Sequence, residues 1–297
     1  MSPARRVLIV FNPTSGSRRR GRLHRVIRAL EEAGAAVDLR VTEKAGDAEV
    51  MAREGAGAGC YDVIAAAGGD GTIDEVANGL GPDAPPLGIV PLGTANVLAA
   101  EIGLARSAGA IARTLLEGER RVIHCGRANG HRFLIMAGAG LDAEVVAALD
   151  PNLKRRLGKF SYVIETTRQM FRYRYPVLDV TLDGGEVFRA ITAVACKGRR
   201  YGGPYLFAPG ADLARPEFEV VLFDKGGAFH VALYGIALVL GLLPCVPGVR
   251  HIAARSVTVS GPNGAPVQGD GDCIARLPLA IAIDPVPLTV LYPPRTS

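Results

Sequence analysis

The 297-residue sequence lacks the signatures of the common nucleotide-binding and hydrolytic proteins. It contains no GxxxxGK[ST] segment, and no GxGxxG follows its first apolar run with an acid about 20 residues later, which excludes a P-loop and a Rossmann dinucleotide site. The HExxH zinc motif and the GxSxG nucleophile elbow are also absent. A phosphate site in this chain would therefore have to use a different pattern.

Cysteine and long apolar runs are equally scarce. The five cysteines are isolated and contain no CxxC pair, which predicts buried, reduced thiols, a cytoplasmic protein and no zinc site. The apolar run at residues 7–11 is too short for a signal-peptide core and is predicted to be a strand. A mainly apolar stretch of 16 residues at 228–243 is shorter than the roughly 20 residues that span a bilayer, and it contains His230, so it predicts a core or interfacial helix rather than a transmembrane one.

Basic residues cluster in two places, although the net charge is only +5. Residues 1–30 carry eight Arg and no acid, and residues 153–175 carry seven basic residues and one acid. Such local patches favour phosphates or an anionic membrane surface as partners, and they argue against nucleic acid bound on a uniformly basic face. Solvated helix faces are the alternative explanation for either patch.

The order of apolar runs predicts two domains of different classes. Uninterrupted apolar runs alternate with helical segments up to about residue 120, which is typical of a doubly wound parallel sheet. Beyond it, Asn129-Gly130 between predicted strands 121–127 and 131–137, and Asp183-Gly184 between 177–182 and 187–195, indicate antiparallel hairpins. We predict an α/β domain over residues 1–125 and a mainly β sandwich over 126–297, with a cleft between them and a last strand able to return to the first domain.

Three loops rich in Gly, Ser or Thr follow predicted strands. They are residues 12–16 (NPTSG), 68–72 (GGDGT) and 91–96 (PLGTAN). Because the carboxyl ends of parallel strands meet at one edge of a sheet, the loops can face one ligand. Glycines let backbone N–H groups approach a phosphate, and a helix N-terminus favours negative charge. Thr72 and Glu75 also fit a capping box. One such loop alone could be an ordinary turn, but three together indicate a phosphate site.

These loops, together with residues 75–80 (EVANGL) and 267–272 (VQGDGD), resemble the catalytic domain of the diacylglycerol kinase family. The similarity is greatest to the soluble bacterial lipid kinases, and sphingosine and ceramide kinases share the domain. The resemblance covers nearly the whole chain. It implies a kinase that transfers the γ-phosphate of ATP, bound with Mg²⁺, to a hydroxyl of a lipid such as diacylglycerol or a sphingoid lipid.

The resemblance also implies roles for particular residues. Asp270 would be the general base that accepts the proton of the lipid hydroxyl, and Asp70 and Asp272 would lie near the ATP-bound magnesium. The implied nucleotide-binding residues are Asn12, Thr42, Gly68, Gly69, Asp70, Gly71, Thr72, Glu75, Gly93, Thr94 and Asn96. The chemistry agrees, since phosphoryl transfer needs a phosphate cradle, a metal and a carboxylate oriented on the nucleophile. Taken alone, the Gly-Asp-Gly-Asp segment is more typical of a surface turn.

Three positions depart from the family pattern. Val97 stands where the family often has Asp, and Asp272 replaces a Glu. Residues 213–218 (LARPEF) stand where bacterial relatives carry a Leu-x-Asp-Gly-x-Leu segment that holds a structural magnesium. Arg215 replaces the Asp of that segment, and its charge would oppose a cation. We therefore expect this structural metal site to be lost, without consequence for the ATP-bound magnesium.

A membrane contact is predicted for the second basic patch. Apolar residues recur there at helical spacing and are flanked by basic ones, as an interfacial helix requires. The apolar residues are Leu153, Leu157, Phe160, Ile164 and Phe171, and the basic ones are Lys154, Arg155, Lys159, Arg168 and Arg172. A helix packed on the β domain is the alternative. The prediction is a cytoplasmic enzyme associated peripherally with an anionic membrane.

Two other functions are alternatives to the lipid kinase. An NAD kinase shares the GGDGT segment and the two-domain plan, but that family uses an Asn-Glu pair, and the sequence contains no Asn-Glu dipeptide. A catalytically silent regulator that binds a nucleotide or lipid is suggested by Val97, Asp272 and Arg215. No motif selects among diacylglycerol, monoacylglycerol, sphingoid base, ceramide and glycolipid as acceptor, and none specifies the oligomeric state.

Overall fold

A computed structural model describes residues 5–14, 20–150 and 159–295 of the chain. The chain divides into two compact units. The first unit comprises residues 1–123 together with 286–297, and the second comprises residues 124–285.

The first unit alternates strands and helices. Its strands are β1 (Arg6–Phe11), β2 (Ala36–Val41), β3 (Val63–Gly68), β4 (Leu87–Pro91), β5 (Glu119–Ile123) and, from the end of the chain, β20 (Leu288–Tyr292). Its helices are α1 (Arg20–Glu32), α2 (Asp47–Gly57), α3 (Asp70–Gly79), α4 (Val97–Glu101) and α5 (Ala108–Glu117). The strands form one sheet in the order β2-β1-β3-β4-β20-β5.

Helices cover both faces of this sheet. Strands β1 to β4 are parallel to one another, and β20 runs parallel to β4 and antiparallel to β5. Val7 and Ile9 on one face share a core with α1 and α5. Leu8 and Ile64 on the other face pack against α2, at Gly55. Because both faces are buried, the strands read as continuous apolar runs, and the predicted doubly wound parallel sheet is confirmed.

The second unit is an antiparallel β-sandwich with three helices in its described residues. Its strands are β6 (Gly126–Ala128), β7 (His131–Phe133), β8 (Met136–Gly140), β9 (Leu178–Leu182), β10 (Val187–Ala190), β11 (Thr192–Cys196), β12 (Arg200–Tyr201), β13 (Tyr205–Leu206), β14 (Phe218–Phe223), β15 (Val249–Ala254), β16 (Ser256–Ser260), β17 (Pro266–Gly269), β18 (Asp272–Arg276) and β19 (Leu279–Ile283). Its helices are α6 (Leu141–Ala147), α7 (Lys159–Arg172) and α8 (Ala228–Leu240).

Two sheets of this unit enclose a common core. One has the order β10-β9-β16-β19-β6-β7, and the other has the order β15-β14-β11-β8-β17-β18. Phe133 from the first sheet stacks on Phe218 from the second, with ring centroids 5.9 Å apart. The predicted sandwich is confirmed. β12 and β13 form a separate small ribbon.

Both predicted hairpin turns form, but the predicted bounds of two flanking strands are wrong. Asn129 and Asp183 have φ values of 46° and 50°, as two-residue hairpin turns require, and they join β6 to β7 and β9 to β10. The predicted strand 121–127 divides instead between β5 in the first unit and β6 in the second. The predicted strand 187–195 divides between β10 and β11, which belong to different sheets. Apolar patterning cannot show where a chain leaves one sheet for another.

The predicted capping box at Thr72 and Glu75 is also wrong. Helix α3 begins at Asp70 with Gly69 as its N-cap residue, and no side chain caps it. Thr72 therefore lies inside the first turn, two residues beyond the helix start. The Glu75 carboxylate instead accepts a hydrogen bond from the Ala48 N–H at 3.3 Å, which ties α3 to α2.

Only some of the cysteine thiols are buried, whereas the sequence predicts buried thiols. Cys125 and Cys196 are buried, and burial raises the pKa of the Cys125 thiol to about 12. Cys245 and Cys273 are exposed, which contradicts the expectation of buried thiols throughout. Over the described ranges, no cluster of three or more His, Cys, Asp or Glu side chains has a metal-binding arrangement. No helix within those ranges is long and apolar enough to cross a bilayer.

Candidate active site

Three loops meet at the carboxyl edge of the first unit's sheet. The Asn12 side-chain amide donates to the Thr72 hydroxyl at 3.2 Å, which joins the loop after β1 to the start of α3. The Gly68 carbonyl accepts from the N–H groups of Leu92 at 2.8 Å and Gly93 at 3.0 Å, which joins the loops after β3 and β4. The structure therefore brings the three predicted loops together.

Glycine is required where these loops touch. A Cβ atom added to Gly93 would lie 2.4 Å from the Gly69 Cα, and one added to Gly68 would lie 2.3 Å from the Thr72 hydroxyl oxygen. Real Cβ atoms do not approach other atoms so closely. Glycine at these positions therefore lets the two loops pack backbone against backbone.

Asp70 holds the third loop against the second. Its carboxylate accepts hydrogen bonds from the N–H groups of Asn96 at 2.8 Å and Val97 at 2.6 Å, at the N-terminus of α4. Asn96 has a φ of 51°, and its side chain closes the loop by bonding both the N–H and the carbonyl of Gly93. Val97, which replaces the family's Asp, contributes its backbone to this arrangement.

The remaining predicted residues of the first unit lie around this edge with different orientations. Thr42 follows β2 and is buried, and its N–H donates to the Phe11 carbonyl at 2.9 Å. Thr94 is exposed on the third loop, and Gly71 lies in the first turn of α3. Glu75 is directed to α2 rather than to the loops. Residues 15–19, which include part of the first loop and its arginines, lie outside the described residues.

In the second unit, Asp270 occupies a two-residue turn between β17 and β18. Asp270 and Gly271 have φ values of 50° and 88°. The Asp270 carboxylate accepts three backbone hydrogen bonds, from Leu134 at 2.6 Å, Ile135 at 2.9 Å and Met136 at 2.9 Å. The segment is thus a turn, but its carboxylate is fixed on the backbone between β7 and β8. Asp272 is exposed at the start of β18.

A polar cluster beside this turn was not predicted from the sequence. The Tyr201 hydroxyl donates to one oxygen of Asp142. The side-chain oxygen of Gln268 accepts from the Gly271 N–H at 3.1 Å. Burial raises the pKa of Asp142, and the Tyr201 and Gln268 side chains oppose that increase. Of these three residues, only Gln268 lies in a segment that the sequence analysis identified. Asp142 on α6 and Tyr201 on β12 are 59 residues apart, and only the fold brings them together.

Two buried polar atoms of this cluster lack a hydrogen bond of ordinary geometry to any described residue. They are the second carboxylate oxygen of Asp142 and the side-chain nitrogen of Gln268. Tyr162 on α7 lies close by, since its hydroxyl is 3.6 Å from the position that a Cβ on Gly271 would occupy. Asp142 and Gln268 therefore place a carboxylate oxygen and a side-chain amide, which interact with each other, next to the turn that carries Asp270.

Helices α7 and α8 turn apolar side chains outward. On α7, Phe160 and Phe171 are 72% and 74% exposed, whereas Glu165 is buried. On α8, Phe229 and Ile236 are 77% and 60% exposed. We call these exposed residues, with Val163, Val239, Leu240 and Leu242, the apolar helix surface. Leu153, Lys154, Arg155 and Leu157 of the predicted interfacial helix lie outside the described residues.

Comparisons with known proteins identify the family. Residues 6–128 match the family described as diacylglycerol kinase catalytic domain, and residues 136–292 match the one described as YegS C-terminal NAD kinase beta sandwich-like domain. The chain is 33% identical over 229 residues to a diacylglycerol kinase of Bacillus subtilis (strain 168), with 74% of each chain covered. It is 29% identical over 279 residues to a diacylglycerol kinase of Staphylococcus saprophyticus, covering 92% of this chain and 91% of the relative.

The fold agrees with a solved structure of similar name. The crystal structure of a diacylglycerol kinase from Bacillus anthracis str. Sterne superimposes with a TM-score of 0.79 at 24% identity, over 99% of each chain. At that identity the likeness shows the fold, and the family follows from the sequence matches. The chain belongs to the diacylglycerol kinase family of ATP-dependent lipid kinases, which are phosphotransferases with an alcohol acceptor.

Proposed function

We propose that this protein phosphorylates the free hydroxyl of diacylglycerol with ATP. The observation that carries the proposal is the Asp270 carboxylate, which three backbone N–H groups hold in one orientation beside a buried polar cluster. The names of the curated relatives favour diacylglycerol over the sphingoid lipids that also fit the sequence pattern.

The three joined loops of the first unit are proposed to bind ATP. Gly68, Gly69 and Gly93 supply a surface on which phosphate oxygens can meet backbone N–H groups, and Asn12, Thr72, Thr94 and Asn96 supply polar side chains around it. Gly71 and Thr42 border the same edge. Glu75 supports this edge indirectly through α2.

The donor set fits a nucleotide-bound magnesium ion. Mg²⁺ typically takes one or two protein carboxylates together with substrate phosphates, so a dedicated protein cage is not needed. Asp70 presents its carboxylate beside the loops of the first unit, and in the second unit Asp272 is an exposed carboxylate next to the Asp270 turn. When bound, Mg²⁺ would neutralise charge on the phosphate oxygens.

The proposed reaction is a single displacement. The acceptor oxygen forms a bond to the γ-phosphorus while the bond from that phosphorus to the bridging oxygen of ATP breaks. The acceptor proton passes to the Asp270 carboxylate, and ADP leaves with the electron pair of the broken bond. Little covalent chemistry is asked of the protein, because orientation and charge stabilisation supply most of the rate of phosphoryl transfer.

The polar cluster is proposed to bind the polar end of the lipid. The Asp142 carboxyl can accept from a hydroxyl, and the Gln268 amide can donate to an ester or hydroxyl oxygen, in place of the interaction between these two side chains. Tyr162 connects this cluster with α7, whose outer side belongs to the apolar helix surface. A lipid arriving through α7 and α8 would therefore reach Asp270 with its polar end first.

Peripheral attachment to an anionic membrane is proposed to use the apolar helix surface. Exposed Phe and Ile side chains can enter the boundary between headgroups and acyl chains, and Arg168 and Arg172 on α7 are exposed beside them. This arrangement supports an interfacial role rather than the alternative of a helix with its apolar face packed on the sandwich.

Labelled ATP and a set of pure acceptors test the proposal. The enzyme would be incubated with γ-labelled ATP and mixed micelles of diacylglycerol, monoacylglycerol, sphingosine or ceramide, and with NAD in place of lipid. We expect label in the phosphate monoester of diacylglycerol and none in NADP. Labelling of NAD alone would support an NAD kinase, and no labelling with any acceptor would support a silent regulator.

A further inference from the structure

Lys197 is a buried cation whose hydrogen bonds all go to backbone carbonyls, and its nitrogen lies 6.0 Å from the centroid of the Phe218 ring. The residue follows β11 and has no solvent-exposed surface. Its ammonium donates to the carbonyl oxygens of Asp212 at 2.9 Å and Glu217 at 2.8 Å, and also to the carbonyl oxygen of Arg215. An ammonium has three donors and no acceptor, so these bonds use all of its hydrogen-bonding capacity.

The three carbonyls belong to one short segment, residues 212–217, which we call the 212–217 loop. A loop that points several carbonyl oxygens at one position places partial negative charge there. Mg²⁺ and Ca²⁺ are bound in proteins by oxygen ligands of this kind, backbone carbonyls included. The 212–217 loop contains Arg215 and lies in the segment where the family resemblance implies a structural magnesium ion.

The residues of the loop do not fit a divalent ion. The position toward which the carbonyls point holds the Lys197 ammonium. The Arg215 guanidinium lies 3.7 Å from the Asp212 carboxylate and 3.3 Å from that of Glu217, so the two acids of the loop are already paired with a cation. A divalent ion would have to displace an ammonium and share its ligands with a guanidinium.

We propose that the Lys197 ammonium is a covalently tethered cation that replaces the structural magnesium of the family, so that the 212–217 loop is ordered without metal. A divalent ion must be recruited from solution, whereas the tethered charge is present as soon as the sandwich folds. The geometry indicates the charged form, since three carbonyl oxygens surround the Lys197 nitrogen and only an ammonium has three donors for them.

The replacement bears on the candidate active site through one residue. The Lys197 N–H donates to the Ile135 carbonyl at 2.7 Å, and the Ile135 N–H donates to the Asp270 carboxylate at 2.9 Å. Lys197 thus anchors the strand connection that fixes the proposed general base. An anchor independent of metal would keep that connection in place at any magnesium concentration.

Thermal denaturation of the wild-type protein, without nucleotide, is the first test. We expect the same Tm in EDTA, in Mg²⁺ and in Ca²⁺ at millimolar concentration. A Tm that falls by several degrees in EDTA and recovers with Mg²⁺ would overturn the proposal, because it would show that the native loop needs a metal. This measurement requires no variant and is independent of the proposed kinase activity.

The second test asks whether removing the ammonium creates a metal site. The double variant Lys197→Ala with Arg215→Asp vacates the loop and restores a carboxylate, and Arg215→Asp alone is its matched control because the ammonium stays. We expect only the double variant to gain Tm with Mg²⁺ or Ca²⁺ and to bind Tb³⁺ at one site in a luminescence titration. Equal cation binding by both variants, or by neither, would contradict the proposal.

Folding of the double variant is itself informative. If it is unfolded in EDTA, refolding from denaturant with and without Mg²⁺ or Ca²⁺ replaces the melting experiment. Recovery of folded protein only with the cation supports the replacement of metal by Lys197, and failure to recover under either condition contradicts it. Lys44→Ala, which removes an exposed lysine of the first unit, is expected to behave as wild type throughout.

Discussion

Asp270 combines a left-handed backbone with an oriented side chain. Its φ of 50° is uncommon for a residue other than Gly, although Asp tolerates it in a two-residue turn, and three hydrogen bonds fix its carboxylate. The same features are expected of a residue held for a chemical role. They are not sufficient, because Asp183 shows them too, with φ of 50° and hydrogen bonds from the N–H groups of Arg255 and Ser256 at 2.8 Å.

Comparison of these two aspartates gives the first prediction. Asp270→Asn is expected to lower turnover by roughly 100- to 10,000-fold, the usual effect of removing a general base, while the Kd for ATP changes little. Asp183→Asn perturbs an equivalent turn and is expected to leave turnover close to wild type. Steady-state kinetics with labelled ATP and calorimetric ATP titration measure the two quantities. Comparable turnover in both variants would remove Asp270 from the mechanism.

Asp142 yields a prediction in which stability depends on pH. Because burial raises its folded-state pKa above that of the unfolded chain, the native protein binds this proton more tightly, and ionising Asp142 costs stability as pH rises from acid to neutral. Asp142→Asn removes this cost. We expect the variant to be more stable than wild type at pH 7, with the difference shrinking as the pH falls through the carboxylate range.

The same variant tests the proposed contact with the lipid. Asn keeps an acceptor for the Tyr201 hydroxyl but changes the group that faces the acceptor lipid. We expect a raised KM for diacylglycerol with the KM for ATP unchanged. Urea denaturation between pH 4 and 7 and kinetics in mixed micelles check the two effects. Unchanged KM values would leave Asp142 as a structural residue only.

At the scale of elements, the loops of the first unit depend on each other. The loop after β4 is closed by Asn96, tied to α3 by Asp70 and packed on Gly69, so none of the three loops takes its shape alone. A sequence pattern identifies each loop as a turn into a helix. Only the parallel order of β1, β3 and β4 makes them neighbours.

Gly69→Val is predicted to abolish nucleotide binding while the unit stays folded. The backbone of Gly69 is extended, with φ of −93°, so a β-branched residue is tolerated by the backbone but occupies the surface proposed for phosphate. Gly57→Val, at the end of α2 where an added Cβ meets no atom within 4 Å, is the matched control. Calorimetric titration with ATP decides the matter, and retained affinity in Gly69→Val would mean that the loop is only a turn.

At the scale of the whole molecule, the question is how the enzyme meets an insoluble substrate. Both α7 and α8 expose large apolar side chains, and basic residues accompany them on α7. Single exposed apolar residues are common on soluble proteins, but two adjoining helices with outward aromatic and aliphatic residues mark an interaction surface.

Phe229→Ser combined with Ile236→Ser should weaken binding to anionic vesicles roughly tenfold or more, since each side chain loses apolar burial in the bilayer boundary. Val187→Ser, which removes an equally exposed apolar residue from β10, should have no effect. Vesicle co-sedimentation provides the measurement. If the double variant bound as tightly as the Val187 variant, the apolar helix surface would not be the docking site.

The basic patch makes a separate electrostatic contribution. Reversing Lys154, Arg155 and Lys159 to Glu is expected to weaken vesicle binding and raise the apparent KM for vesicle-bound lipid, because each base near an anionic surface is worth about 1 kcal/mol. Turnover on a short-chain, water-soluble acceptor should change little. Binding that is indifferent to both the charge reversal and ionic strength would contradict membrane docking through this segment.

The sequence determined the parts of this protein that depend on local pattern. Continuous apolar runs fixed the parallel sheet, Asn-Gly and Asp-Gly fixed the hairpins at residues 129–130 and 183–184, and Gly-rich segments marked the loops that meet at the sheet edge. These features follow from the sterics of neighbouring residues and from the periodicity of burial. Both can be read from the amino-acid sequence alone.

The tertiary structure decided the features that depend on distant residues. The division of residues 121–127 between two units, the pairing of Asp142 with Tyr201, and the three carbonyls around Lys197 all join segments that no spacing connects. Glu75 shows the same limit, since its local pattern predicted a helix cap and the neighbouring helix α2 supplied a better partner. A hydrogen bond forms between groups that the fold brings together, so the use of a polar side chain is settled only once its neighbours are known.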